Sequence, residues 1–287
     1  MSIRKIVVGT DGAEPGKAAA RWAALEAQRR GAVLRIVHAF DWEWAQSRYD
    51  YSGELLNVAQ KTAEAITANA HDAAAAAAPG IVIETDTLLG RTVPRLLGLA
   101  EDVQLMVLGN RGRGGFASLL LGSVSQHVAT HAGCPVVVVR GRPGIDDGPI
   151  SAGVDDSPAA HAVLETAFEA AATRGAELKL IRTYLPPVPL WMYGAMPATE
   201  VATPEFDADE KERLAELVAP WIAKYPAVRV ETLLSHDSAA AVLTGVSHGS
   251  QLVVVGSHGH GAISGSVLGS TGLQLLHHAD CPVYIAR

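Results

Sequence analysis

Several features that would assign a chain to a whole class of proteins are scarce or missing in this sequence of 287 residues. There are two cysteines, too few for a disulfide framework. No run of about 18 apolar residues occurs, which argues against a membrane-spanning helix. Basic residues number 23 against 30 acidic ones, and the net charge of −7 argues against nucleic-acid binding, which needs a basic face.

The amino-terminal stretch MSIRKIVVGTDG turns polar early and lacks the apolar core of a signal peptide. Together with the scarcity of cysteine, this predicts a reduced, cytoplasmic protein. Hydrophobic residues make up 48% of the chain and charged residues 18%, which is typical of a globular protein. The length predicts roughly two domains.

An internal repeat divides the chain into two halves. Residues 104–140 and 251–287 form blocks of 37 residues that are identical at 15 positions, at a constant offset of 147. The stretch VVGTDG at 7–12 pairs with SAGVDD at 151–156, at an offset of 144. This period is too long for a solenoid unit and indicates duplication of a whole domain.

The join between the halves should lie in a segment rich in glycine and proline, GRPGIDDGP at 141–149. We therefore expect a first domain over residues 1–141 and a second over residues 149–287.

Short apolar runs alternate with helical stretches in each half. In half one the pattern predicts strands at 3–10, 32–40, 81–89, 104–110 and 135–139, and helices at 14–30, 52–77, 93–101 and 123–132. The apolar runs are continuous, as in strands buried on both faces of a parallel sheet. The alternation predicts a doubly wound α/β sheet, whose ligands bind beyond the carboxyl ends of the strands.

The loop after the first strand contains an aspartate in both halves. Gly9 and Asp11 correspond to Gly153 and Asp155. Such an aspartate can accept hydrogen bonds from sugar hydroxyls or help to hold a metal. It can equally do no more than cap the helix that follows.

The loop after the fourth strand is rich in glycine. Residues 109–112 and 122–123 in half one have the same spacing as residues 256–259 and 269–270 in half two. Glycines let backbone N–H groups approach an anion, and the start of a helix favours phosphate. We expect Ser123 and Ser270 at the N-caps of these helices. The loops could instead serve flexibility alone, but two copies with one spacing favour phosphate binding.

These two loops resemble the G-x2-G-x9-G-[ST] motif of ATP-binding members of the universal stress protein family, in its tandem form with two domains. The resemblance covers essentially the whole chain. It implies two Rossmann-like domains, each with a five-stranded parallel sheet of order 3-2-1-4-5. It also implies that the last strands, Val136–Val139 and Val283–Ala286, pair the two domains.

By the same resemblance each domain binds ATP, often with a divalent cation such as Mg²⁺. The aspartate contacts the nucleoside, the glycine loop holds the phosphates, and the backbone at Val37–Ala39 or Ile181–Thr183 holds the adenine. The candidate nucleotide-binding residues of half one are Gly9, Asp11, Val37, Ala39, Gly109, Asn110, Arg111, Gly112, Arg113, Gly114, Gly115, Gly122, Ser123 and Val124. Those of half two are Gly153, Asp155, Ile181, Thr183, Gly256, Ser257, His258, Gly259, His260, Gly261, Gly269, Ser270 and Thr271.

The two copies differ at the loops. Arg111 and Arg113 are replaced by His258 and His260. Because arginine stays charged and forks onto phosphate, whereas histidine is mostly neutral at pH 7, we expect tighter or less pH-sensitive phosphate binding in half one. Asp237 stands where half one has Gly90, and this carboxylate would disfavour phosphate if it faced the site.

The sequence thus predicts an ATP-binding regulator of a stress or growth response, with no catalytic residue identified. An enzyme that transfers adenylyl groups or hydrolyses ATP slowly, and a scaffold that binds no nucleotide, are the alternatives, and cyclic AMP is an alternative ligand. We expect a homodimer and an unidentified regulatory protein partner. Cys134 and Cys281 are expected to be buried and inert. The aromatic segments that follow the second strand of each half are interpreted as lids or partner surfaces.

Overall fold

The computed structural model of the chain describes residues 5–41, 54–113, 120–144, 146–185, 204–259 and 268–287. Half one consists of β1 (Lys5–Gly9), α1 (Glu14–Arg30), β2 (Val33–Phe40), α2 (Glu54–Ala77), β3 (Ile83–Leu89), α3 (Thr92–Leu99), β4 (Leu105–Gly109), α4 (Ser123–His131) and β5 (Val136–Val139). Half two consists of β6 (Ile150–Gly153), α5 (Ala160–Arg174), β7 (Leu178–Thr183), α6 (Pro204–Lys224), β8 (Val230–Ser235), α7 (Ala239–Ser247), β9 (Leu252–Gly256), α8 (Ser270–His278) and β10 (Val283–Ala286).

Local sequence accounts for the bounds of α1. Pro15 lies in its first turn, where the missing N–H has no intrahelical partner to lose. The helix ends at Gly31, whose φ of 58° is left-handed and closes the last turn by bonding to the carbonyls of Ala27 and Gln28. The predicted helix over residues 14–30 is thereby confirmed.

The ten strands form one continuous sheet in the order β3-β2-β1-β4-β5-β10-β9-β6-β7-β8. Every neighbouring pair within a half is parallel, and both halves have the strand order 3-2-1-4-5. The halves meet where β5 and β10 pair antiparallel, with Val137 opposite Tyr284. The expected fold class and the expected pairing of the last strands are both confirmed.

Helices cover both faces of this sheet. Helices α1, α2, α5 and α6 pack on one face, and α3, α4, α7 and α8 pack on the other. Strands β4 and β5 are buried along their whole length, which explains why their sequences are apolar without alternation. The change of face between the helix that follows β1 and the helix that follows β4 opens a crevice at the carboxyl ends of these two strands.

A buried ion pair joins the halves on the first of these faces. The Glu26 carboxylate of α1 accepts hydrogen bonds from Arg30 at 2.6 Å and from Arg174 of α5 at 2.5 Å. Arg30 and Arg174 are equivalent at the offset of 144, whereas the position equivalent to Glu26 is Ala170. Burial acts to raise the pKa of Glu26, but the charges of Arg174, Arg30 and Arg29 together hold it below its ordinary value.

Both cysteines are buried, as expected: Cys134 is 4% exposed and Cys281 is 0% exposed. Burial raises the pKa of both thiols, that of Cys281 to about 12. A protonated, buried thiol is a poor nucleophile. Within the described ranges, no helix has the length and apolar character needed to cross a membrane.

Candidate functional site

Each half contains a cleft at the carboxyl ends of its central strands. The first cleft has a volume of about 700 Å³ and the second of about 540 Å³. Both volumes lie in the range of sites for small organic ligands. The clefts are related by the internal repeat, because most of their lining residues are equivalent at offsets of 144 or 147.

Asp11 connects the two loops of the first cleft. Its Oδ1 accepts a hydrogen bond from the backbone N–H of Ala13 at 3.0 Å. Its Oδ2 accepts one from the backbone N–H of Arg113 at 2.5 Å. Ala13 is itself the N-cap residue of α1 and makes no side-chain cap. The carboxylate therefore fixes the loop after β1 against the glycine loop and does not cap the first turn of α1.

Asp155 has a related arrangement in the second cleft. Its Oδ1 accepts hydrogen bonds from the backbone N–H of Ser157 at 3.0 Å and from the Ser157 hydroxyl at 2.5 Å. The neighbouring Asp156 accepts a forked pair of bonds from Arg182, at 2.8 and 2.6 Å. Arg182 also donates to Glu210 at 2.6 Å. In half one the equivalent of Arg182 is His38, whose Nδ1 lies 2.7 Å from the carbonyl oxygen of Thr10.

The glycine loops close in the same way in both halves. The Gly122 N–H donates to the Asn110 carbonyl at 2.7 Å, and the Gly269 N–H donates to the Ser257 carbonyl at 2.9 Å. A Cβ at position 112 would overlap Oδ2 of Asp11. A Cβ at Gly259 would lie 2.8 Å from Oδ2 of Asp155. A side chain at the second glycine of either motif would therefore displace the aspartate carboxylate.

The starts of α4 and α8 correct one prediction. The N-cap residues are Gly122 and Gly269, both in an extended conformation and without a side-chain cap. Ser123 and Ser270 are the first helical residues instead. The loop turns into the helix at the glycine, so this residue takes the extended backbone of the cap, and the cap position carries no hydroxyl to occupy the first N–H groups.

The first turns of these helices present backbone donors to the clefts. The first intrahelical bonds run from Gln126 to Gly122 in α4 and from Leu273 to Gly269 in α8, both at 3.0 Å. Three N–H groups therefore precede the helical ladder in each helix. They belong to residues 123–125 and 270–272, which all line the clefts. Such donors, together with the helix dipole, suit an anion.

Apolar side chains and strand backbone form another part of each cleft. Leu96, Leu108 and Leu121 line the first cleft and correspond at an offset of 147 to Leu243, Val255 and Leu268 in the second. Strand β2 continues past the end of β1, since the last β1–β2 pair is Gly9 with Val37. Ala39 lies beyond that pair and lines the cleft, and Thr183 does so in half two.

Most of the candidate residues that the structure describes line the clefts. In the first cleft these are Gly9, Asp11, Val37, Ala39, Gly109, Arg111, Gly112, Gly122, Ser123 and Val124. In the second they are Gly153, Asp155, Ile181, Thr183, Gly256, His258, Gly259, Gly269, Ser270 and Thr271. Three candidates, Asn110, Arg113 and Ser257, do not line them. Gly114, Gly115, His260 and Gly261 lie outside the described residues, as do residues 42–44 of the first aromatic segment (41–44) and residues 186–203 of the second (185–205).

Sequence reasoning missed several hydroxyls. Thr10, Thr92 and Ser125 line the first cleft, and Ser157 lines the second. The Ser125 hydroxyl donates to the Gly109 carbonyl at 2.6 Å, a bond without an equivalent in half two because Gly272 stands there. Thr10 and Ser125 lie within two positions of motif residues, and this proximity was the available signal.

Asp237 does not add a carboxylate to the second cleft. It is exposed, and it is not among the residues that line the cleft. The condition under which it would disfavour phosphate is therefore not met. Asp11 and Asp155 are the single carboxylates lining their respective clefts, as far as the described residues go. The described parts of the chain contain no group of three or more histidine, cysteine or acidic residues that could hold a metal.

Residues 245–249, Gly-Val-Ser-His-Gly, fit the G-x-S-x-G spacing of a nucleophile elbow, which sequence reasoning overlooked. The structure does not support that role. Ser247 is the last residue of α7, not the turn from a strand into a helix, and it is buried. Its hydroxyl donates to the Thr244 carbonyl at 2.6 Å and accepts from the Asp280 N–H at 2.9 Å.

Comparison with known proteins agrees with this architecture. The model of the Universal stress protein family matches residues 2–140 and again residues 148–287. A universal stress protein of Mycobacterium tuberculosis is 33% identical over 296 residues, covering 98% of this chain and 96% of its own. The crystal structure of a universal stress protein from Archaeoglobus fulgidus superposes with a TM-score of 0.71 at 17% identity, covering 99% of this chain and 96% of that one.

Proposed function

The chain belongs to the universal stress protein family, and on that basis we propose that it binds ATP in both clefts and acts as a nucleotide-dependent regulator. The observation that carries the proposal is the uncapped helix start in each cleft, with three N–H groups preceding the helical ladder.

In this proposal the triphosphate lies along the glycine loop and against the first turn of α4 or α8. Gly122 and Gly269 leave the space in front of those N–H groups open, because neither residue has a side chain. Arg111 in the first cleft and His258 in the second line the same region and would meet the phosphates. Arginine can fork onto a phosphate with two bonds, whereas histidine offers a single donor.

The adenosine end lies, in the same proposal, at the carboxyl ends of β1 and β2. The backbone at Ala39, and at Thr183 in half two, contacts the adenine beyond the last β1–β2 pair. The apolar floor, with Leu96 and Leu121 in the first cleft, packs on the base. Asp11 and Asp155 accept bonds from the ribose hydroxyls while keeping their bonds to the backbone.

Each cleft could hold a divalent cation only in combination with the phosphates of the nucleotide. Mg²⁺ keeps most of its water and is usually bound through one or two carboxylates together with the phosphates of the substrate. Each cleft, within the described residues, is lined by one carboxylate, Asp11 or Asp155. These residues would hold Mg²⁺ only together with the nucleotide, and the ion would then neutralise phosphate charge.

A homodimer remains a prediction. The strands β5 and β10 pair with each other inside the chain, so a dimer has to use another surface. The regulatory partner and the cytoplasmic location also remain predictions.

The proposal is tested by counting the nucleotide released on denaturation of protein purified without added ligand, followed by calorimetric titration of the emptied chain. We expect close to two adenine nucleotides per chain, or tight ATP binding at two sites. ADP and cyclic AMP in competition identify the ligand, because cyclic AMP shares the adenosine but lacks the triphosphate. The control is the Gly122→Ala, Gly269→Ala double variant, which is expected to release none.

Absence of nucleotide together with no binding in calorimetry would contradict the proposal and leave the scaffold interpretation. Release of pyrophosphate on incubation with ATP would instead indicate adenylyl transfer. Release of phosphate would indicate hydrolysis.

A further inference from the structure

Two arginines at matched positions reach from each half into the other. Arg140 directly follows β5 and Arg287 directly follows β10, at the offset of 147. The Nη1 atom of Arg140 donates to the carbonyl oxygens of Leu275 at 3.0 Å and Leu276 at 2.5 Å. The guanidinium of Arg287 donates to the carbonyl oxygens of Ala129 at 2.6 Å and Cys134 at 3.1 Å.

The accepting carbonyls identify which helices are held. Leu275 and Leu276 lie in the last turn of α8, and Ala129 lies in the last turn of α4. These are the two helices whose first turns present backbone N–H donors to the clefts. The arginine of half one therefore holds the cleft helix of half two, and the arginine of half two holds the cleft helix of half one.

The same strand ends also contact the glycine loop of their own half. The Asn110 N–H donates to the Val139 carbonyl, and the Ser257 N–H donates to the Ala286 carbonyl, both at 3.0 Å. Val139 precedes Arg140, and Ala286 precedes Arg287. Each strand end thus bonds by its backbone to the glycine loop of its own half, and the side chain of the next residue bonds to the cleft helix of the other half.

The arginine contacts should stabilise the carboxyl ends of α4 and α8. The last four carbonyls of a helix have no intrahelical partner, and a cation near them is favourable. Helices α4 and α8 have nine residues each, a length at which an isolated helix is marginal in water. At the carboxyl ends, the capping N–H groups of Ala132 and Ala279 add one backbone bond apiece. Losing the arginine should therefore let the last turn fray and move the first turn.

We propose that Arg140 and Arg287 are crossed positioning residues: each one holds the nucleotide-binding helix of the opposite half in the geometry that its cleft needs. This inference rests on the proposed nucleotide binding. Binding sites generally require their groups to be fixed within about 0.5 Å, so a small displacement of the helix start lowers affinity.

The test uses full-length chains in which one cleft is blocked. Gly122→Ala blocks the first cleft and keeps the second able to bind, whereas Gly269→Ala blocks the second and keeps the first. ATP is titrated into each by calorimetry. Arg140→Gln is expected to weaken ATP by about two- to tenfold in the chain that keeps the second cleft and to change it less in the chain that keeps the first, where the Arg140 charge acts on Arg111. Arg287→Gln is expected to give the reverse pattern.

Arg142→Gln is the matched control. Arg142 also reaches into half two, but its guanidinium donates to the Asp280 carboxylate at 2.8 Å and to the His248 carbonyl, which both lie outside the two cleft helices. We expect it to change neither cleft. Arg140→Lys keeps the positive charge but replaces the guanidinium with a single ammonium group. It should therefore show the same crossed pattern with a smaller loss of ATP affinity. It replaces Arg140→Gln should that variant fail to fold.

Equal weakening of both clefts, or a larger weakening of the cleft in the same half, would overturn the inference. If wild-type protein binds no ATP, the proposed function fails and amide hydrogen exchange decides the positioning role. Arg140→Gln is then expected to speed exchange in residues 270–278 and not in residues 123–131, with Arg287→Gln reversed. An uncrossed exchange pattern would refute the positioning role independently of any ligand.

Discussion

The two clefts share their backbone and differ in their side chains. Both have a closed glycine loop, an uncapped helix start and an apolar floor at equivalent positions. They differ where a ligand's phosphates would meet side chains, with Arg111 in one and His258 in the other, and in the hydroxyls around them. The comparison teaches that the duplicated fold supplies the same backbone framework to both clefts, while the substituted side chains set how the two halves differ.

The halves are least alike where they join, and there we expect the largest effect. Glu26→Ala makes half one like half two, which has Ala170, and leaves Arg30 and Arg174 buried without their carboxylate. Removal of one partner from a buried ion pair costs about 3–5 kcal/mol. Chemical denaturation at pH 7 should show a loss of this order in the free energy of unfolding.

The pH dependence of this loss has a definite sign. The pKa of Glu26 is lower in the folded chain than its ordinary value of 4.5, so its contribution is complete above that value and is lost as the pH falls through the folded pKa. The difference between wild type and Glu26→Ala should therefore shrink below pH 4.5. Adding Ala170→Glu moves the carboxylate to the other half and should restore part of the stability. If the double variant regained no stability, a carboxylate at position 170 would not stabilise the contact between the halves as Glu26 does.

The next largest effect should come from variants that block one cleft at a time. Among the described residues, a Cβ at Gly122 or Gly269 would approach no atom closer than 3.5 and 3.7 Å respectively, so alanine is accommodated by this part of the chain at both positions. The new methyl group would stand before the uncapped N–H groups. We expect Gly122→Ala to abolish about one of two bound nucleotides, with affinity lowered at least tenfold, as for loss of a bond to a charged group.

Gly269→Ala should remove the other nucleotide, and Gly133→Ala, with no atom within 4 Å of the added Cβ, should remove neither. The readout is nucleotide stoichiometry by calorimetry. Both variants losing the same nucleotide would mean that the halves do not bind separately.

A smaller effect should come from exchanging the loop side chains. Arg111→His makes the first loop like the second and should weaken ATP there by about three- to tenfold at pH 7, because a fixed charge is replaced by a mostly neutral ring. Affinity at that cleft should then rise as the pH falls below about 6.5, where an exposed imidazole gains a proton. His258→Arg should strengthen the second cleft.

These titrations are made in the chains with one blocked cleft, from pH 5.5 to pH 8. The unsubstituted first cleft serves as the control and should change little over this range. Equal pH dependence before and after Arg111→His would indicate that the side chain does not meet the phosphates.

The smallest effect concerns a hydroxyl that only half one has. Ser125→Ala removes the bond to the Gly109 carbonyl and makes the helix start more like that of half two. A neutral hydrogen bond contributes about 0.5–1.5 kcal/mol, so the thermal midpoint should fall slightly while ATP affinity changes by less than about threefold. A large loss of affinity at the first cleft alone would give Ser125 a direct role in binding.

Much of this comparison could be made from the sequence. The buried strands were predictable because runs such as 136–139 and 252–255 are apolar throughout, as burial on both faces demands. The repeat offsets brought equivalent loops together, and residue types in those loops indicated phosphate. The strand order and the pairing of the halves came from the family resemblance, and the structure confirmed both.

What the sequence could not provide depends on distant contacts or on exact turn geometry. Serine is preferred at N-caps, yet Gly122 and Gly269 take that position because the turn into the helix falls one residue earlier. Glu26 looks like a surface residue of α1, and its burial depends on Arg174, which is 148 positions away. The reach of Arg140 and Arg287 likewise depends on how β5 meets β10.

The antiparallel pairing of β5 and β10 within one chain also means that every molecule contains one copy of each cleft. Two separate chains that met through such strands would dissociate on dilution, whereas strands in one chain keep a high effective concentration of each other. The ratio of the two clefts is therefore one to one at any expression level. Because separate subunits cannot exchange, a substitution in one cleft always stands beside an unchanged second cleft in the same molecule, and the two clefts can diverge independently.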